Sequence, residues 1–153
     1  MVSSGSQFLI DATFIVERVH KAFYGSPLLL VSGQDRTFTY GCMRDFLRWR
    51  RALGIKAGMI VFGSETYSIV GRENVLDIVA ILKEFKIPNV NDSHNSCLDL
   101  AGNMRSALTY IVTADRRFLQ FCTSDHFVVL PKGSKQIEWD CMSSEKTLKP
   151  SWE

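Results

Sequence analysis

The sequence predicts an α/β protein in three layers, with helices on both faces of a mainly parallel central sheet, and three observations predict it. Short apolar runs alternate with stretches of helical spacing in the order βαβαβα, the pattern of parallel strands joined by crossover helices. Two of the runs lead into a carboxylate, Phe8-Leu9-Ile10-Asp11 and Thr109-Tyr110-Ile111-Val112-Thr113-Ala114-Asp115, and open α/β sheets bind their ligands at the carboxyl ends of their strands. At 153 residues, with 46% hydrophobic and 22% charged residues, the chain suits one domain that buries its own core without metal or disulfide support.

The elements follow in order. Gln7 to Ile10 is a short strand, and Phe14, Val16, Val19 and Phe23 recur with helical spacing until Gly25-Ser26-Pro27 stops them. Leu28 to Val31 reads as a buried strand or extended packing segment, and Ser32 to Arg36 as a polar turn. A second helix from Thr39 turns Cys42, Met43, Phe46, Leu47 and Leu53 inward and ends at Gly54; Met59 to Phe62 is a buried strand closed by Gly63. From Arg72 to Phe85, Val75, Ile78, Val79, Leu82 and Phe85 form the apolar stripe of a third helix, with Glu73, Asp77, Lys83 and Glu84 opposite. Pro88 marks its exit, Asn89-Val90 is a brief strand, and Ser93 to Asn95 is a turn. A fourth helix then carries Leu98, Ala101 and Ala107. The strand at Tyr110 runs through an acidic turn into a helix start, and Phe127 to Leu130 is a last strand ended by Pro131 and Gly133. The domain is expected to span residues 1–140, with 141–153 a polar tail whose Trp152 is either unpacked or docked on a protein partner.

Charge and cysteine usage narrow the function classes. A net charge of +2 permits nucleic-acid contact without demanding it. Cys42, Cys97, Cys122 and Cys141 show no Cys-x-x-Cys pairing, and His20, His94 and His126 are scattered, so neither a zinc site nor a disulfide framework is signalled. No apolar run approaches a membrane span and Met1 to Gln7 lacks a signal-peptide core, so an intracellular protein with reduced thiols and no membrane partner is expected.

Several segments carry a family resemblance. Leu9-Ile10-Asp11, Ala22-Phe23-Tyr24-Gly25 and Thr39-Tyr40-Gly41-Cys42-Met43-Arg44-Asp45-Phe46-Leu47 resemble, in order and spacing, the start of the 5′-nuclease domain of bacterial DNA polymerase I and flap endonucleases. Met59 to Phe62 resembles that family's Val-Val-Phe-Asp strand, and Lys86-Ile87-Pro88 its Gly-Ile-Pro turn. Ser96-Cys97-Leu98-Asp99-Leu100-Ala101-Gly102 sits where the family has Glu-Ala-Asp-Asp-Val-Ile-Gly, and Thr113 to Gln120 is similar to Thr-x-Asp-x-Asp-x-x-Gln. The resemblance runs over roughly residues 7–140 and implies a PIN-like fold.

Such nucleases gather carboxylates around Mg²⁺ or Mn²⁺, hard cations that activate water and neutralise phosphate charge. The resemblance implies Asp11, Asp99 and Asp115 as the metal-binding and catalytic set. Four acidic positions are lost: Gly63 follows the strand in place of Asp, Ser96 and Leu98 replace two acids, and Arg117 replaces the last. A guanidinium repels a cation, and Arg117 is expected to form an ion pair that takes over from the metal. The segment from Gly63 to Arg72 is far shorter than the family's helical arch, and the module that grips duplex DNA has no counterpart in the residues at hand.

Three functions stay open: a degenerate nuclease fold that binds nucleic acid or serves in a nucleoprotein assembly, with no cofactor; a weakly active Mg²⁺- or Mn²⁺-dependent nuclease using Asp11, Asp99 and Asp115, joined by Glu65 or Asp92; or a structural subunit that binds only protein. Arg44, Arg48, Arg51, Lys56, Arg72, Arg116 and Arg117 are the candidate contacts to DNA or RNA phosphates, through paired guanidinium donors. Arg48 and Arg51 read equally as a solvated helix face, and Trp49 among them as a packed residue or as a platform for a base.

Overall fold

A near-central strand made entirely of buried residues organises the molecule. The computed structural model describes residues 7–23, 30–31, 33–54, 58–104, 107–132 and 138–143. The expected stop at Gly25-Ser26-Pro27, Leu28, Lys56, Arg105, Gly133, Lys135 and most of the expected tail, Trp152 included, lie outside them.

The elements are β1 (Phe8–Asp11), α1 (Ala12–Phe23), β2 (Leu30–Val31), β3 (Gln34–Asp35), α2 (Thr37–Leu53), β4 (Gly58–Phe62), α3 (Ser64–Val70), α4 (Arg72–Glu84), β5 (Asn89–Asn91), α5 (Cys97–Met104), β6 (Tyr110–Val112), a 3₁₀ helix (Arg116–Phe121), β7 (Phe127–Lys132) and β8 (Glu138–Met142). Six strands form one sheet in the order β5-β4-β1-β6-β7-β8, parallel except for β8. β1 is buried along its whole length because both faces of the sheet are covered, which is why its sequence is a continuous apolar run rather than an alternation. Its residues still point alternately: Phe8 and Ile10 join the core beneath α1, α2 and α4, and Leu9 joins the second core beneath α5 and the 3₁₀ helix. The three-layer, mainly parallel α/β/α architecture is therefore the one the periodicity predicts.

Local chemistry sets the helix ends. Gly54 takes a left-handed φ of 69° and its N–H caps α2 by donating to the carbonyls of Arg50 and Arg51. α2 begins at Thr37, two residues before the expected start.

Several expectations are corrected. Gln34–Asp35 pairs with Leu30–Val31 as a small antiparallel hairpin, with Gly33 at φ 79° in the turn, where the polar composition reads as turn alone. α3 fills the segment after Gly63 and is not signalled by the sequence, because its seven residues are too short to show a period. Ala107 lies outside α5, and the segment after Asp115 is 3₁₀ rather than α. Pro131 does not end β7. The register with β6 stops at Val129, so the missing proline N–H costs no bond on that side, while Pro131 sits opposite Trp139 of β8. β8 itself is a further strand that the periodicity does not mark, and it takes Cys141 and Met142 into the sheet, beyond the expected boundary at residue 140. Among the described residues no helix is long and apolar enough to cross a membrane.

Candidate functional site

β1 and β6 are hydrogen-bonded neighbours, yet the chain leaves β1 toward β4 and leaves β6 toward β7. The connections diverge at their carboxyl ends, and such a switch point opens a crevice in a parallel sheet. A hollow of about 270 Å³ lies there, lined by Asp11, Thr13, Phe14, Glu17, Glu65, Ala114, Asp115 and Arg117.

Asp11, the last residue of β1, is only 3% exposed. Its Oδ1 accepts the Thr13 N–H at 3.0 Å and its Oδ2 the Thr113 hydroxyl at 2.8 Å. Burial pushes its carboxyl above the usual range, against these hydrogen bonds, which pull it down. Thr113 Oγ1 in turn accepts the Asp115 N–H at 3.0 Å, so one hydroxyl ties the two strand ends together.

Asp115 caps the 3₁₀ helix, accepting the Arg117 N–H at 3.0 Å. The Arg117 side chain closes on the same carboxylate: Nε lies 3.0 Å from each oxygen and Nη2 2.6 Å from Oδ2. That grip holds the Asp115 carboxyl below its ordinary value. The expected Asp115–Arg117 ion pair is thus present in bidentate form.

Position 63, just past the end of β4, is closed by backbone. A Cβ on Gly63 would run into the Cys97 nitrogen and lie 2.6 Å from Glu65 Oε1 and 2.8 Å from the Ser96 carbonyl carbon. The Gly63 N–H faces Thr66 Oγ1 and Cys97 Sγ, each at 3.2 Å, and Thr13 Oγ1 lies 2.9 Å from Thr66 Oγ1 and 3.6 Å from the sulfur. Burial pushes the Cys97 thiol far up, so it stays protonated. Glu65 accepts the Cys97 N–H at 2.7 Å, satisfying the first turn of α5.

Of the residues singled out in the sequence, Asp11, Asp115, Arg117 and Glu65 share the hollow. Asp99 is exposed in the first turn of α5, its N–H donating to Ser96 Oγ at 3.1 Å, and it is not among the lining residues. Asp92 is committed to its own turn, accepting from the His94 and Asn95 backbone and the Asn95 amide. Arg44 and Arg48 are exposed on α2 and both lean on Asp45, at 3.4 and 3.6 Å; Arg51, Arg72 and Arg116 are exposed as well. Trp49 is not a base-stacking platform: it is 1% exposed, edge-on to Phe14 at 5.5 Å and 6.2 Å from Trp139. None of the three histidines lines the hollow. Glu17, Thr13 and Thr66 carry no signal in the sequence that would have found them. Thr113 stands inside the Thr-x-Asp motif, two residues before Asp115, and that spacing is the signal that marks it.

The residues present do not fit a pair of Mg²⁺ or Mn²⁺ ions. The Arg117 guanidinium sits on Asp115 and would repel a cation, Glu65 caps a helix, and Gly63 has no room for a carboxylate. Among the described residues no three His, Cys, Asp or Glu side chains are grouped to hold an ion.

The fold is PIN-like. The crystal structure of human GEN1 in complex with Holliday junction DNA matches with a TM-score of 0.56 at 11% sequence identity, over 92% of this chain and 39% of that one. At that identity the likeness establishes the fold alone, and this chain spans about two fifths of the GEN1 chain's length. No family model and no curated relative matches the sequence.

Proposed function

We propose that the chain is a 5′-nuclease or flap-endonuclease-like PIN domain whose catalytic centre has degenerated and which binds nucleic acid, alone or in a nucleoprotein assembly. The observation that carries this reading is the Arg117 guanidinium clasped on Asp115, a fixed positive charge against a carboxylate that two-metal chemistry would need free. The closed Gly63 position supports it. Nucleic acid as partner is supported by the exposed Arg44, Arg48, Arg51, Arg72 and Arg116, and by the Holliday junction DNA of the GEN1 complex. Binding on this reading needs no Mg²⁺ or Mn²⁺, and the free cysteines suit an intracellular setting.

A second reading, a weak metal-dependent nuclease, is favoured by one fact: Asp11, Glu17, Glu65 and Asp115 line one hollow, although Asp99 does not join them. Cleavage of labelled flap DNA, single-stranded DNA and single-stranded RNA with Mg²⁺ or Mn²⁺, by the natural chain and by Asp11→Ala/Asp115→Ala, separates the two. The expected result is no cleavage, binding retained in both proteins, and affinity that falls linearly on a log scale with salt, by roughly 0.9 per phosphate contact on duplex DNA. Metal-dependent cleavage that vanishes in the double variant overturns the degenerate reading. Absence of binding even at low salt leaves a protein-only structural subunit.

A further inference from the structure

Positive charge is concentrated on one helix. α2 carries Arg44, Arg48, Arg50 and Arg51 against Asp45 alone, a net +3 from four arginines less one aspartate. The whole chain carries +2, so everything outside α2 sums to −1. Arg44, Arg48 and Arg51 recur at spacings of four and three, which sets them within about 60° of one another around the helix, and all three are exposed. The opposite side of α2 is core, with Phe46, Trp49 and Leu53 buried. Arg44 Nε and Arg48 Nη1 lie 3.4 and 3.6 Å from Asp45 Oδ1. One carboxylate offsets only one of the charges, and a guanidinium has more N–H donors than a single carboxylate contact uses, so the stripe keeps both a positive field and donors for an anion.

We infer that this stripe is the nucleic-acid contact of the domain and that it grips the phosphate backbone of one strand without regard to sequence. The inference rests on the proposed function and names the surface that carries it. Length agrees: Arg44 to Arg51 span about 10 Å of helix at ~1.5 Å per residue, the run of about three phosphates of one strand at ~3.4 Å of duplex axis each. Chemistry agrees as well, because guanidinium forks match phosphate oxygens and present paired donors to them. α2 contains no Asn or Gln to pair with base edges, and its Trp49 is buried, so the stripe is built for backbone rather than for sequence. The carboxylate hollow is the wrong place for a phosphate chain. Asp11, Glu17, Glu65 and Asp115 face a single guanidinium there, Arg117, which Asp115 already holds, and α2 contributes none of the lining.

The test is titration of the full chain with labelled duplex DNA and with oligo-dT across a salt series, for the natural chain, Arg44→Gln, Arg48→Gln, Arg51→Gln and the triple variant. All three positions are exposed, and thermal melts check that each variant is folded. Each single variant should weaken duplex binding and lower the slope of log affinity against log salt by roughly 0.9. The triple variant should lose about three times that slope and about tenfold or more in affinity at low salt. Asp45→Asn, which removes the one acid of the helix, should strengthen binding at low salt. Lys83→Gln, at an exposed cation of α4, should leave affinity and slope unchanged, and duplexes of unrelated sequence should bind alike. If the natural chain binds but the triple variant keeps its affinity and slope, the inference falls while the proposed function stands. If the natural chain binds no oligonucleotide at low salt, the proposed function falls and takes the inference with it. Discrimination among duplexes by about tenfold or more overturns the backbone grip. Tighter binding to vesicles of anionic lipid than to either oligonucleotide, lost in the triple variant, overturns nucleic acid as the occupant.

Discussion

Asp11 is a carboxylate held where it is hard to ionise. Burial raises its folded-state pKa above the unfolded value, so the folded protein binds the proton more tightly than the unfolded chain does. Its contribution to stability is therefore most favourable below the unfolded value, about pH 4. It declines as pH rises through the folded value and is then constant. Asp11→Asn removes the charge while keeping an oxygen for the Thr13 N–H and turning an amide toward Thr113. We expect this substitution to raise the thermal midpoint relative to the natural chain near pH ~8, with the difference shrinking toward pH ~4, as melts across that range would read. A variant less stable than the natural chain at every pH would mean that the ionised carboxylate is better solvated than its burial implies. Asp115 behaves oppositely, because its partner is a guanidinium rather than neutral hydroxyl and amide donors.

At the joint between β4, α3 and α5, backbone fills the space that a side chain at position 63 would need. The end of β4 and the first turn of α5 approach so closely that Gly63 has no space for a Cβ, and the Gly63 N–H is used by Thr66 and Cys97 across the gap. Gly63→Ala forces one of these elements to shift and should destabilise by roughly 1–3 kcal/mol, as overpacking a tight interior does. Gly63→Asp, which adds a larger and charged side chain to the same space, should cost more. Urea denaturation measures both, and a neutral Gly63→Ala would show that α5 yields easily. α5 is positioned by Glu65 as well as by packing, so the one acid of α3 serves as a cap to its neighbour.

Across the whole molecule, β8 closes the sheet at the β7 edge and joins both cores. Trp139 packs toward Trp49, and Met142 sits with Leu9, Val128 and Leu130. Truncation after Lys132 should therefore abolish the cooperative thermal transition seen by circular dichroism. A cooperative transition in the shorter protein would show that β8 is an accessory to the sheet.

Local patterning is enough for the class of the protein and most of its frame. Helical spacing marks α1, α2 and α4, apolar runs mark β1, β4, β6 and β7, and Gly54 marks a helix end, because each signal depends on neighbours in sequence. The pairing of Arg117 with Asp115 is legible for the same reason, two residues apart on one turn. What depends on three-dimensional packing is everything that sequence separation hides. The order of the sheet puts Asp11 beside Thr113 and brings Glu17 and Glu65, but not Asp99, to the hollow; the rotation of α2 buries Trp49 while exposing Tyr40 and Leu47. β8 takes its place by pairing antiparallel with the β7 edge. A side chain's type and spacing decide which element it joins, but which other elements it meets is set by how the layers stack, and that is a property of the whole fold.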